Sequence, residues 1–598
     1  MLTQANDGGT HAPSRRGACL MVLIAGALFM NFAHALISVG PDAACQFHDI
    51  GAAVTAADQT PGPDVVAIST GTYTGVSTMF VNSADSLVIE GGYLNCSAGI
   101  PTATSTLDAS GAANRGSLIA HFGAGRLSVR HLVLTNGDAS VGGGIDSEGS
   151  GELVLSDVML LTNNADYGGG MFVAGAIPHK QVTLINTKFN SNGARGSGGG
   201  LYALYADVTI ISGGESYFLG NLAQGSITNT GDGAGIYAAN SNFIANTHGV
   251  FGFPFIGSNH AQRYGGGAYF TITDAGNYEF FLANDDSLQP LEVADNSAVE
   301  GGGVYMKAYS QNQQLFTFAR FSNTIFRNNQ ALHGAAISMD SYGDQFSVST
   351  ELRLHQSVIG DAIPPCASGL RCNSFEGNLS YNGYIIAATS GGAQGGGQVE
   401  FLRGSMIENH TVDSGGGLIF GGDTRLYIDG SLFADNELSG EIATVASDNL
   451  HFANSTVAHN TIGADQLFTV AITPASLEIL HSLLSQPNDP VNGYVVGTSI
   501  PATVQDVGAE SVNIAGNNVQ FLFDPFVDAA NGDYHIRLTS SAVDRWVPTG
   551  DPNDPAPTLD LDGAARPYTF NSSSTPYDFG AYEAGATIDA IFVNGFDS

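Results

Sequence analysis

The sequence predicts an all-β fold, a right-handed parallel β-helix closed by a short N-terminal capping helix and followed by a small C-terminal extension. Three observations predict it: glycine corners at a regular period, an apolar-x-x-Asn segment ahead of most corners, and short β-branched runs between them. The corners read Gly142-Gly143-Gly144-Ile145, Gly168-Gly169-Gly170-Met171, Gly198-Gly199-Gly200-Leu201, Gly233-Ala234-Gly235-Ile236, Gly265-Gly266-Gly267-Ala268, Gly301-Gly302-Gly303-Val304 and Gly334-Ala335-Ala336-Ile337. Their mean spacing of about 32 residues lies in the range of stacked repeats. The register resumes at Gly415-Gly416-Gly417-Leu418 and, less completely, at Ser439-Gly440-Glu441-Ile442.

The second element ends in Asn163, Asn192, Asn221, Asn259, Asn296, Asn329, Asn409, Asn436 and Asn460, preceded at three residues by Leu160, Phe189, Phe218, Ile256, Val293, Phe326, Met406, Phe433 and Val457. Most of these asparagines precede a corner by five or six residues. Runs such as Leu153-Val154-Leu155, Val182-Thr183-Leu184-Ile185, Val208-Thr209-Ile210-Ile211 and Leu426-Tyr427-Ile428 read as strand. Strands this short bury a face only by stacking. Parallel stacking sets each Asn above the last, where the amides bond up and down a column. Glycine lets the corner turn with φ > 0, and the open ends of such a solenoid need caps.

Taken in chain order, residues 1–35 read as a signal peptide. Arg15 and Arg16 precede an apolar run from Ala18 to Phe32 that ends in Ala33-His34-Ala35, a small-x-small cleavage pattern. The run is too short for a spanning helix, which takes about 18 or more apolar residues, and no later stretch reads as one. Residues 36–500 form the β-helix. Phe47, Ile50 and Val54 have helical spacing, which predicts the cap at about 45–57 and the first strand from Asp64. Residues 501–586 form the C-terminal region and 587–598 a tail.

Composition excludes several classes of function. Beyond residue 35 the chain carries 54 acidic and 17 basic groups, a net charge of −37. Nucleic acid is excluded as a partner, because phosphate neutralisation needs clustered Lys and Arg. At 43% hydrophobic residues and 12% charged, the chain is no disordered tail and no coiled coil. Cys19 leaves with the signal. The remaining Cys45, Cys96, Cys366 and Cys372 are an even number in an exported chain and favour two disulfides. Three pairings are open, and proximity selects Cys45 with Cys96 and Cys366 with Cys372.

The paired corner and Phe-x-x-Asn motifs, over residues 85–465, resemble the repeats of the polymorphic outer-membrane proteins and related bacterial surface proteins of the pectin-lyase-like β-helix superfamily. Residues 517–583 resemble the choice-of-anchor Q domain. The matching residues are Asp524-Pro525-Phe526, Asn531-Gly532-Asp533-Tyr534-His535-Ile536, Ser541-Ala542-Val543-Asp544, Asp560-Leu561-Asp562-Gly563, Arg566-Pro567 and Asp578-Phe579-Gly580-Ala581-Tyr582-Glu583. Arg545-Trp546 stands where that family has Ala-Gly. The tail, Ile591-Phe592-Val593-Asn594-Gly595-Phe596-Asp597, is similar to short endings of exported proteins in some Gram-negative bacteria. These resemblances imply an exported protein, secreted or on the outer cell surface of a Gram-negative bacterium, and imply no particular activity.

Many β-helices cleave acidic polysaccharides, and their catalytic motifs are recognisable in sequence. Family 28 polygalacturonases carry Asn-Thr-Asp, Asp-Asp, Gly-His-Gly and Arg-Ile-Lys. Here Asp285-Asp286 occurs, the histidine appears only in Thr247-His248-Gly249 or Leu332-His333-Gly334, and Arg-Ile-Lys does not occur. Arg130-His131 is the one basic pair of the kind a lyase needs, and it reads as rung surface. No catalytic residue is assigned. Asp551, Asp554, Asp560 and Asp562 offer hard oxygen ligands, without the spacing of a twelve-residue calcium loop. Calcium there is the one cofactor candidate; otherwise none is expected. Phe251, Phe253, Phe255, Tyr278, Phe280 and Phe281 suit either sugar stacking or packing under their own loops. The expectation is a monomeric binding (adhesin-like) or structural protein whose partner is a glycan or another cell-surface component. The alternative is a polysaccharide lyase or glycoside hydrolase acting on an acidic glycan.

Overall fold

The computed structural model describes residues 35–584 apart from short interior stretches, of which 355–372, 511–518, 548–558 and 567–575 are the longest. The molecule is a right-handed parallel β-helix. Each coil contributes two strands to one long sheet, one to a fourteen-stranded second sheet and, at many corners, a two-residue strand. One such coil runs through Met171–Ala174 on the second sheet, Lys180–Ile185 and Lys188–Asn190 on the long sheet, and Gly193–Ala194 at the corner. Alternation along each strand turns one set of side chains inward, so Val182, Leu184 and Phe189 lie in a continuous apolar core.

The strand expected from Asp64 is the second and not the first: β1 (Ala35–Val39) precedes the cap and pairs in parallel with β2 (Asp64–Ser69), and α1 (Ile50–Gln59) lies between them in sequence. The predicted cap is present but starts later than the spacing suggested, because Asp49 is its N-cap and accepts the Ala52 amide at 2.7 Å. Phe47 bridges Val39 instead of joining the helix. Ile50, Ala53, Val54 and Ala57 cover the end of the core. Cys45 and Cys96 form the expected disulfide; Cys366 and Cys372 lie outside the described residues.

All nine predicted ladder asparagines are buried in one column. Asn192 shows the pattern: its Oδ1 accepts from the backbone N–H and Nδ2 of Asn163, and its Nδ2 donates to Leu160 O and to Asn221 Oδ1, all within 3.2 Å. A tenth member, Asn378, joins Asn329 to Asn409. The residue before each ladder Asn turns the chain in the left-handed region, as at Thr162, Ser191 and Asn328. Within the corners, the three glycines differ in role. Gly168 has φ +65, whereas a Cβ on Gly169 would meet Gly193 O at 2.2 Å and one on Gly170 would meet Gly200 O at 2.6 Å. The first allows the turn, and the others allow the rungs to close.

The stacked sheet continues past residue 500 through Ala502–Gln505 and Gly508–Glu510 to Val519–Gln520. The region that follows packs on the outside of the last coils. Phe526, Tyr534, Trp546, Phe579 and Tyr582 bury against Leu432, Ala434, Ala458 and Leu483 on the outer face of the long sheet. Gly580 N donates to His481 O at 2.9 Å, Ala581 N to Thr456 Oγ1 at 3.0 Å, and Trp546 stacks on His481 at 3.6 Å. Among the described residues no helix is long and apolar enough to cross a membrane.

Candidate functional site

The outer face of the second sheet carries an aromatic column. Register aligns the second residue after each corner, which places Phe172, Tyr202, Tyr237, Tyr269 and Tyr305 above one another. Their rings stack at successive centroid separations of 5.2, 4.3, 5.1 and 5.4 Å. The rung spacing of about 4.8 Å suits such stacking. On the next two rungs the same position holds Ser338 and Ala387, and the aromatic series resumes at Phe420.

This interruption forms a cleft of about 410 Å³. Tyr305 borders one end and Phe420 the other, with Ser338 and Ala387 between them. The flanks come from two further columns. Glu300 and His333 sit just before the glycine of their corners and are bridged to each other, while Asp340 and Thr389 follow two residues after Ser338 and Ala387. Tyr384 leans over the cleft, its ring 5.0 Å from Phe420 and its hydroxyl donating to Thr444 at 3.0 Å. The volume lies within the range of small-molecule sites, about 300–1,000 Å³.

Burial raises the Glu300 carboxyl, and nearby Asp340 adds to the rise while His333 and Lys307 oppose it. Burial, then Asp340 and Glu300, push the Tyr305 hydroxyl up, and burial raises that of Tyr384 to about 12. Both tyrosines therefore remain neutral hydrogen-bonding groups at neutral pH. Arg263 is held by Asp232 through contacts of 2.9 and 2.7 Å. Chemically, the cleft offers ring faces for stacking, two carboxylates and a histidine for hydrogen bonding or proton transfer, and hydroxyl and amide groups from Thr389 and Asn382.

The sequence-derived candidates lie elsewhere, with one exception. His333, singled out in Leu332-His333-Gly334, borders the cleft. Asp560 accepts the Ala564 and Glu583 amides, and Asp562 binds His535 Nε2 at 2.6 Å; Asp551 and Asp554 lie outside the described residues, as do Asp285, Asp286, His248, Phe251 and Phe253. Among the described residues no three His, Cys, Asp or Glu side chains group as a metal ion would need. His131 sits 4.0 Å from Glu90 and 3.8 Å from Asp157, beside a second groove of about 540 Å³. Phe255, Tyr278 and Phe280 are buried, and Phe281 lies under the Arg320 guanidinium at 4.3 Å.

Glu300, Asp340, Tyr384, Phe420 and the tyrosine column were not foreseen. The signal was in the aligned repeat, one position beyond the apolar residue that closes each corner: Met171-Phe172, Leu201-Tyr202, Ile236-Tyr237, Val304-Tyr305. No protein-family model matches the chain, and no curated protein matches it.

Proposed function

We propose that this is an exported, surface-associated β-helix protein that binds carbohydrate in the cleft between Tyr305 and Phe420. The observation that carries the reading is the two-rung gap in the aromatic column. A sugar ring has an apolar face that stacks on an aromatic ring and a rim of hydroxyls that needs hydrogen-bond partners. The gap supplies ring planes at its ends and Glu300, His333, Asp340, Asn382 and Thr389 along its sides. The signal-like residues 1–35 and the resemblances to pectin-lyase-like surface proteins and the choice-of-anchor Q domain support export and surface attachment. The protein acts as a monomer without a resident cofactor in this reading.

The test is a glycan array probed with labelled protein beside a Phe420→Ala variant. Saturable binding that falls about tenfold or more in the variant supports the reading; an array without signal from folded protein contradicts it. A second reading, glycan cleavage, is favoured by Glu300, Asp340 and His333 sharing one cleft, since acid/base hydrolysis takes a pair of carboxyl groups. Release of reducing ends or unsaturated products, abolished by Glu300→Gln, would establish it.

A further inference from the structure

The charges around the cleft point to the kind of sugar it takes, given the carbohydrate reading above. The carbonyl of Glu300 accepts the Gly265 amide, but its carboxylate accepts no hydrogen bond from the described residues, and the Asp340 carboxylate accepts one from a side chain, the Thr389 hydroxyl at 3.4 Å. Glu441 stands one layer behind, bonded to Thr444, whose hydroxyl also receives that of Tyr384. Of the neighbouring basic residues, Arg263 is committed to Asp232. Lys307 lies in register with Asp340 on the preceding rung, and the backbone of His333 pairs in parallel with that of Glu300. The cleft is therefore rich in carboxylate beside the faces of Tyr305, Tyr384 and Phe420, within a chain of formal net charge −36.

We infer that the cleft selects an amine-bearing sugar: the ring stacks in the gap between Tyr305 and Phe420, and its ammonium group meets Glu300 and Asp340. An ammonium brings three donors to carboxylates that have few donors of their own, and a positive charge beside aromatic faces gains further attraction. A uronic acid would place its carboxylate against Glu300 and Asp340, where like charges in a partly desolvated site repel. An N-acetylated sugar keeps the ring but loses the charge.

Isothermal titration calorimetry on the purified protein in physiological salt, at a pH near 6, compares hexamers of glucosamine, N-acetylglucosamine and galacturonic acid. The glucosamine hexamer is expected to bind at least about tenfold more tightly than the N-acetylated one, and Glu300→Gln and Asp340→Asn each to weaken it about tenfold. Equal affinities, or tighter binding of galacturonate, would overturn the amine assignment and leave carbohydrate binding standing. Glucosamine binding unchanged in both variants would mark diffuse attraction to an acidic surface and overturn the assignment too. Absence of saturable binding by all three hexamers would overturn both readings. Ser338→Trp, which fills the gap, is expected to abolish binding; the nearly isosteric Glu300→Gln keeps the test decisive should that variant not fold.

Discussion

Each ladder asparagine bonds in both directions along its column, so removing one strands groups on its neighbours. In Asn192→Ala, the backbone N–H and Nδ2 of Asn163 and the Leu160 carbonyl lose partners in a fully buried column. The expected loss is about 3–5 kcal/mol, read from guanidinium unfolding. Asn378→Ala should cost as much, since its bonds to Asn329 and Asn409 have the same geometry. A loss below about 1 kcal/mol in either would mean that water fills the vacancy. Asn378 also shows where reading from sequence stops. Phe375-Glu376-Gly377-Asn378 fits the Phe-x-x-Asn pattern, but Asn382-Gly383-Tyr384 follows it in place of a glycine triplet, and the paired signal vanishes. A single residue in the C-terminal region gives a pH prediction. His535 contacts Asp562 and Asp533, each at 2.6 Å, and its pKa is pushed up to about 9, chiefly by the hydrogen bond to Asp562. Stability from this group is complete below its unfolded pKa of about 6.5 and is lost as pH rises through the folded value. Thermal melts of His535→Gln should therefore fall below the parent at pH 6 and match it near pH 10. An equal loss at both would assign the effect to packing on Tyr582.

At the level of elements, the glycine corner makes a sharper claim than turn propensity. Gly169→Ala places a Cβ 2.2 Å from the Gly193 carbonyl of the next rung, whereas Gly99 has no atom within 4 Å of its Cβ position. The first substitution should destabilise by several kcal/mol and the second stay within about 0.5 kcal/mol, compared by thermal or denaturant unfolding. Similar losses would mean that adjacent rungs slide apart at little cost. The corners, the ladder and the strand class were legible because each rung repeats the same backbone demand. The cap helix was legible in kind and not in start, since its first turn is set by the Asp49 side chain and not by apolar spacing. Outward-facing residues carry no backbone demand, which is why the cleft escaped notice: Glu300, Asp340 and Phe420 come together only through register across rungs separated by insertions of unequal length.

Across the whole molecule, the C-terminal region behaves as a cover for the last coils. Its sequence motifs supply structure: Arg566 and Glu583 form a fully buried pair at 2.8 Å, Arg566 also donates to the Gly580 and Asp578 carbonyls, and Asp578 accepts the Asp544 and Ala584 amides. Trp546, the sole tryptophan of the chain, stacks between His481 and Tyr577 and so reports on docking. Its emission should shift to the red when this region detaches. Truncation after residue 520 should expose Leu432 and Leu483 and yield a chain that binds a hydrophobic dye and aggregates. A soluble, dye-silent truncation would show that the coils need no cover. The cleft lies on the other sheet, away from this cover.

The central claim is that the gap in the aromatic column holds a sugar, and a crystal structure with a bound oligosaccharide tests it most directly. The account predicts a sugar ring between Tyr305 and Phe420, over Ser338 and Ala387, with polar contacts to Glu300 or Asp340. An empty gap with the oligosaccharide bound elsewhere, for instance in the groove beside His131, would contradict it.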